Sequence, residues 1–377
     1  MVLPKSRDLS HIPVYVPGKS EARVKAEYGL DRVVKLASNE NPLGASPKAL
    51  QAMHDMLTST YRYPDHSSDA LRSALSAFYR IPREHFIIAA GLEEMINCIS
   101  RAYLLHGEAA LMPKMSFIKY VISVNLMGSK PVYIPMKHYG IDLEAFADRI
   151  DDSTKIIWLA NPNNPTGTYL NETELRDFLD KVPRRILVVL DEAYIDFADA
   201  RDYPRLTEHW FKEYPNLLVL RTFSKAYGLA SARIGYAVGL PELVEPILRV
   251  REIFSVSSIA EAGACAALED AAFVQTYQQL VWKEKRRIYR ELDRLASKGV
   301  SYVPTQANFL YIETPKESRQ IFAEFQAKGI IIRPAGEKGL RVTIGREEEN
   351  TAFLKALEEL TADQNHRREH EKAADRQ

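Results

Sequence analysis

Between about residues 85 and 240, short apolar runs alternate with stretches of helical period. The apolar runs are strand-length: 85–90 (HFIIAA), 109–112, 131–135, 155–160 (KIIWLA), 186–190 (ILVVL), 216–222 and 233–239. Helical stretches fall at 93–105, near 117–127, near 143–150 and over 172–181. Runs this uniformly apolar suit strands buried on both faces. Strands alternating with helices predict right-handed crossovers and a mostly parallel sheet. The predicted fold is α/β, a three-layer α/β/α arrangement around that sheet.

After Pro241 the pattern changes. Helical stretches cover roughly 241–297, and short strand runs follow at 300–303, 308–312, 330–333 and 340–344. This predicts a smaller α+β domain. Residues 1–44 hold Pro4, Pro13, Pro17 and Pro42 and little periodicity, so they read as an arm that packs on something else. The expected division is a large domain over 45–270 and a small unit built from 1–44 and 271–377. From Thr361 onward apolar residues almost vanish, and the chain is expected to fray or be disordered.

Composition narrows the class. The chain has 377 residues, 46% of them apolar, enough for a sizeable core and too apolar for overall disorder. Fifty basic residues balance fifty acidic ones, which removes any bulk electrostatic case for nucleic acid or an anionic membrane. Cys98 and Cys265 are the only cysteines, so neither a disulfide framework nor a cysteine-based metal site is expected. No run approaches the roughly 20 apolar residues of a membrane-spanning helix. The first ten residues lack the apolar core of a secretory signal. These features predict a cytoplasmic protein.

In parallel α/β sheets ligands sit beyond the carboxyl ends of the strands. Four such places carry chemistry. Asn161-Pro-Asn-Asn-Pro-Thr-Gly167 is either a tight turn or a rigid mount for an amide such as Asn164. Asp191-Glu-Ala-Tyr194 follows ILVVL; a carboxylate there either caps a helix or meets a buried cation, with the Tyr194 hydroxyl nearby. Thr222, Ser224 and Lys225 follow another apolar strand, with Arg233 close behind. A loop lysine is usually a solvated charge. Beside hydroxyls and a guanidinium, however, it also suits a carbonyl next to a phosphate. Gly91, Leu92 and Glu93 open a helix whose backbone N–H groups could hold a phosphate, although a plain strand-to-helix turn reads the same way.

One cofactor would use all four places. Pyridoxal 5′-phosphate has an aldehyde for Lys225 and a pyridine nitrogen for Asp191. Its phenolic oxygen suits Asn164 and Tyr194, and its phosphate suits Gly91, Leu92, Thr222, Ser224 and Arg233.

The order NPNNPTG, VVLDEAYIDF and RTFSKAYGLASARIGY resembles the class II, fold-type I pyridoxal-phosphate aminotransferases, and within them the histidinol-phosphate aminotransferase branch. The segments around LASNENPLG, YRYPD, VPTQANFLYIE and IIRPAGEKGLRVTIG extend the likeness over about residues 12–360. The resemblance implies that Lys225, Asp191 and Tyr194 are catalytic. It implies that Phe117 stacks on the ring and that Tyr63 reaches the cofactor phosphate of a partner in a homodimer. Tyr15, Asn164, Arg333 and Arg341 would line the substrate end. It further implies a small-molecule amino donor and 2-oxoglutarate as acceptor. Several departures surround the site: Glu93 replaces the usual aspartate, Phe117 follows an altered Pro113-Lys-Met-Ser approach, and Ile253-Phe-Ser-Val-Ser-Ser258 is unusual. An aromatic or specialised amino-acid aminotransferase, an amino-acid-phosphate decarboxylase and a pyridoxal-phosphate-binding regulator remain the alternatives. No strand is followed by G-x-G-x-x-G, which disfavours a dehydrogenase.

Overall fold

The computed structural model describes residues 9–10, 12–14 and 18–374, with side chains as far as 362. Its centre is a seven-stranded sheet. In spatial order the strands are Phe86–Ala89, Gly235–Val238, Leu217–Thr222, Leu187–Asp191, Thr154–Ala160, Ala109–Pro113 and Lys130–Ile134. All run the same way except Gly235–Val238, which is antiparallel to both of its neighbours. The observed strands start and stop within two residues of the apolar runs.

Alternation along each strand divides the side chains between two cores. Ile88, Leu111, Ile157, Val188, Leu190 and Val219 face the larger one. Ile87, Met112, Trp158, Val189, Leu218 and Leu220 face the other, shared with the helices Leu92–Tyr103 and Ile118–Leu126. Both faces are therefore covered, which is why the strands carry no polar face.

A four-stranded antiparallel sheet follows: Ser301–Val303, Phe309–Glu313, Gly339–Thr343 and Arg333–Ala335, in that order. Here the sequence pattern needs correction. The single strand expected at 330–333 is split. Ile330–Ile331 pairs in parallel with Val34–Lys35, while Arg333–Ala335 turns back along Gly339–Thr343. The amino-terminal segment earns no period of its own because its bonds are tertiary. Leu36 N–H donates to Ile331 O, and Thr343 N–H donates to Leu36 O. A helix at Glu21–Tyr28, capped by Ser20 and closed by Gly29, also lies in the stretch read as an irregular arm. At the other end the expected fraying does not occur at Thr361. The helix Glu347–Ala374 runs through it, and Leu360 and Thr361 are buried. Its glutamates, arginines and alanines fit this: these residues favour helix without needing an apolar face.

Candidate active site

A cavity of about 280 Å³ opens at the carboxyl ends of the central strands. Asp191, the last residue of its strand, lines it together with Asn164, Tyr194, Thr222, Ser224, Lys225 and Arg233. Leu92, Glu93 and Phe117 also line it, and so do Arg333 and Arg341 from the four-stranded sheet. Segments far apart in sequence thus converge on one space. Tyr15 lies outside the described residues. Tyr63 does not line this cavity; it is 83% exposed and stacks on Phe254 with centroids 4.8 Å apart.

The loop 161–167 separates its amides by task. Asn161 exchanges two bonds with the backbone of Leu170. Asn163 donates to Met115 O and accepts from the Ser116 hydroxyl. Those two brace the loop, and Asn164 is left facing the cavity. Its Oδ1 accepts from Arg341 at 2.8 Å, and its Nδ2 donates to the Tyr194 hydroxyl at 3.4 Å.

One corner of the cavity is made by contact between backbone and guanidinium. Gly91 caps the helix Leu92–Tyr103 with φ +78°, and a Cβ placed on it would lie 2.6 Å from Arg233 Nη2. Only glycine leaves room for that guanidinium beside the helix N-terminus, where unpaired N–H groups and the helix dipole favour an anion. The Thr222 hydroxyl accepts from Ser224 N–H and holds the turn that presents Lys225.

At the other side, Arg333 and Arg341 are directly opposed across antiparallel strands. Both side chains line the cavity, and two guanidinium groups on one wall suit an acidic ligand group.

The sequence matches the model of the family described as aminotransferase class I and II over residues 31–357. The chain belongs to this family. It is 38% identical to the histidinol-phosphate aminotransferase of Moorella thermoacetica over 365 residues, covering 96% of this chain and 94% of that one. It is 41% identical to histidinol-phosphate aminotransferase 2 of Pseudomonas fluorescens, covering 92% and 95%. Among solved structures, it is similar to the histidinol-phosphate aminotransferase of Sinorhizobium meliloti in complex with pyridoxal 5′-phosphate. There the TM-score is 0.85 at 26% identity, with 95% of this chain and 99% of that one covered.

In this aminotransferase the electrostatics centre on Lys225. Loss of hydration lowers its ammonium to about 8, and the charges of Arg341 and Arg233 push the same way, while Glu40 and Asp191 oppose them. Its Nζ donates to Ser38 O at 3.0 Å. Burial pushes the Asp191 carboxyl up. The hydrogen bonds from Tyr120 and Ala193 N–H, and the Lys225 charge, pull it back down. The donor set suits pyridoxal 5′-phosphate: an amine of lowered basicity, a buried carboxylate for a ring cation, and a glycine–guanidinium cradle for an anion.

Three contributors carry no signal of their own in the sequence. Ser38 meets Lys225 through its backbone carbonyl. Asn39, fully buried at φ +55°, donates to the Tyr194 hydroxyl at 3.1 Å and accepts from Thr343. Tyr120 donates to Asp191 at 2.6 Å.

Proposed function

We propose that this aminotransferase uses pyridoxal 5′-phosphate to move the amino group of L-histidinol phosphate to 2-oxoglutarate, as a cytoplasmic homodimer. The observation that carries the reading is one cavity in which Lys225 sits with two separate cationic groups, Arg233 beside Gly91 and the cross-strand pair Arg333 and Arg341. One suits the cofactor's phosphate. The other suits the acidic end that histidinol phosphate and 2-oxoglutarate both possess. The histidinol-phosphate aminotransferases to which the chain is similar support this choice of donor.

When bound, the cofactor supplies a carbonyl carbon that accepts the amino group and a protonated ring that draws electrons from the substrate's Cα. The protein does the rest. Lys225, with its basicity lowered to about 8, is partly neutral near pH 7. It can act as the nucleophile that anchors the cofactor, and after release it can carry the proton to and from Cα. Asp191 would keep the ring nitrogen protonated. Asn164 and Tyr194 would hold the ring oxygen, and Phe117 would cover the ring. Thr222, Ser224, Leu92 and Glu93 would complete the phosphate side. Asn164 also bonds Arg341, so the group that holds the cofactor also steadies the residue that grips the substrate. In this reading residues 45–270 form the cofactor domain, and 1–44 with 271–377 form the smaller substrate-side unit.

The homodimer is supported by a surface of large apolar side chains: Leu57, Tyr61, Tyr63, Ile253 and Phe254 are exposed, between 41% and 83%. A partner covering them would receive Tyr63 at its cofactor phosphate. Among the described residues no helix is long and apolar enough to cross a membrane.

An amino-donor panel tests the reading. L-Histidinol phosphate should bleach the visible band of the bound cofactor, and 2-oxoglutarate should restore it. Bleaching by phenylalanine but not by histidinol phosphate would point to the aromatic alternative. Release of carbon dioxide from an amino-acid phosphate without amino transfer would point to the decarboxylase.

A further inference from the structure

Asp191 carries out its proposed task only if its charge and orientation are held. It lines the cavity but is itself buried at 6% exposure. Each carboxylate oxygen has one donor on the protein side: Ala193 N–H to Oδ1 at 3.0 Å and the Tyr120 hydroxyl to Oδ2 at 2.6 Å. A carboxylate has about four acceptor sites, so capacity remains toward the cavity.

Tyr120 is built to point one way. Its ring is buried and stacks on Trp158, with centroids 4.9 Å apart and planes 11° from parallel. Phe117 packs edge-on against it at 5.7 Å and 90°. The Ser123 hydroxyl donates to its backbone carbonyl. Burial, and then the Asp191 charge, push its phenol well above the ordinary value, so it stays protonated and can only donate to the carboxylate. Tyr120 therefore touches both the residue proposed to cover the cofactor, Phe117, and the residue proposed to keep its ring protonated, Asp191.

We propose that Tyr120 is a positioning residue for transamination: its hydroxyl fixes the Asp191 carboxylate and lowers its basicity, so that a proton shared with the cofactor's ring nitrogen stays on the ring. This rests on the reading of the cavity as a pyridoxal-phosphate site. Without the phenol donor the carboxylate is the stronger base and pulls the proton toward itself. The ring then draws electrons less well. A phenol that merely fills the core would leave the proton where it is.

The test loads the enzyme with pyridoxal 5′-phosphate labelled with ¹⁵N in the ring and reads the nitrogen resonance. Three proteins are compared: the unaltered chain, Tyr120→Phe, and a chain with 3-fluorotyrosine at position 120, whose hydroxyl is a stronger donor in nearly the same volume. In Tyr120→Phe the resonance should move toward the unprotonated ring. With 3-fluorotyrosine it should move the opposite way, further toward the protonated ring. In Tyr120→Phe, kcat should fall roughly tenfold while KM stays within about twofold. Resonances identical in all three loaded proteins would overturn the role of Tyr120. If Tyr120→Phe does not fold, the fluorinated chain decides: a ring proton and kcat that both ignore the stronger donor overturn the proposal. Failure of the unaltered chain to take up the cofactor would instead overturn the cofactor reading itself.

Discussion

The two sides of the cavity are built differently. The side with Lys225, Asp191 and Asn164 hangs from the ends of parallel strands buried on both faces, and Arg233 stands just before the antiparallel strand Gly235–Val238 of the same sheet. Those positions are set by the sheet. The side with Arg333, Arg341, Ser38 and Asn39 is assembled from a short antiparallel sheet and an amino-terminal segment that pairs with it through tertiary bonds. A stiff side suits a cofactor that stays, and a side assembled from separate segments suits substrates that alternate.

If this contrast is sound, substitutions on the two sides should fail in different ways. The largest effect belongs to the strand side. Lys225→Ala should lose both the visible band of the bound cofactor and turnover, by about 10⁴-fold or more in kcat. On the substrate side, Arg341→Ala should raise KM for the acidic substrates by about ten- to a hundredfold, the value of one charge-assisted contact. Cofactor affinity should change little; an equal loss of cofactor would erase the distinction between the sides. Gly91→Ala should do the reverse. The added Cβ meets Arg233 Nη2 at 2.6 Å, at a backbone angle that alanine resists. Cofactor affinity should weaken by about tenfold, with substrate KM preserved.

The smallest effect is a pH slope. Lys225 must be neutral to attach the cofactor, and its lowered value means that the neutral form grows through about pH 8 rather than 10.5. Attachment to the cofactor-free chain should therefore speed up with pH and level off above about 8. Between pH 7 and 9 the gain should be about tenfold, against about a hundredfold for an ordinary lysine. Stopped-flow absorbance after mixing measures it.

The same contrast explains what could be read from the sequence. Strand ends are legible because an apolar run is local: ILVVL announces where Asp191 stands, and NLLVL announces Lys225. Tyr120 and Asn39 are not legible by that route. Their partners lie 71 and 155 residues away, and nothing in their neighbourhoods marks a burial that only tertiary pairing creates. The split of 330–335 into two pairings is hidden for the same reason, since Ile330 and Ile331 are apolar in either case. Arg333 and Arg341 could be named only through resemblance; their cross-strand opposition needs the hairpin between them.

The assignment of Lys225 can be tested most directly by borohydride reduction of the cofactor-loaded enzyme, which locks the cofactor onto the lysine that carries it, followed by digestion and mass mapping. The expected result is the added mass on the peptide containing Lys225 and on no other. Added mass on a different lysine, or a fully loaded enzyme with no modified peptide, would contradict it.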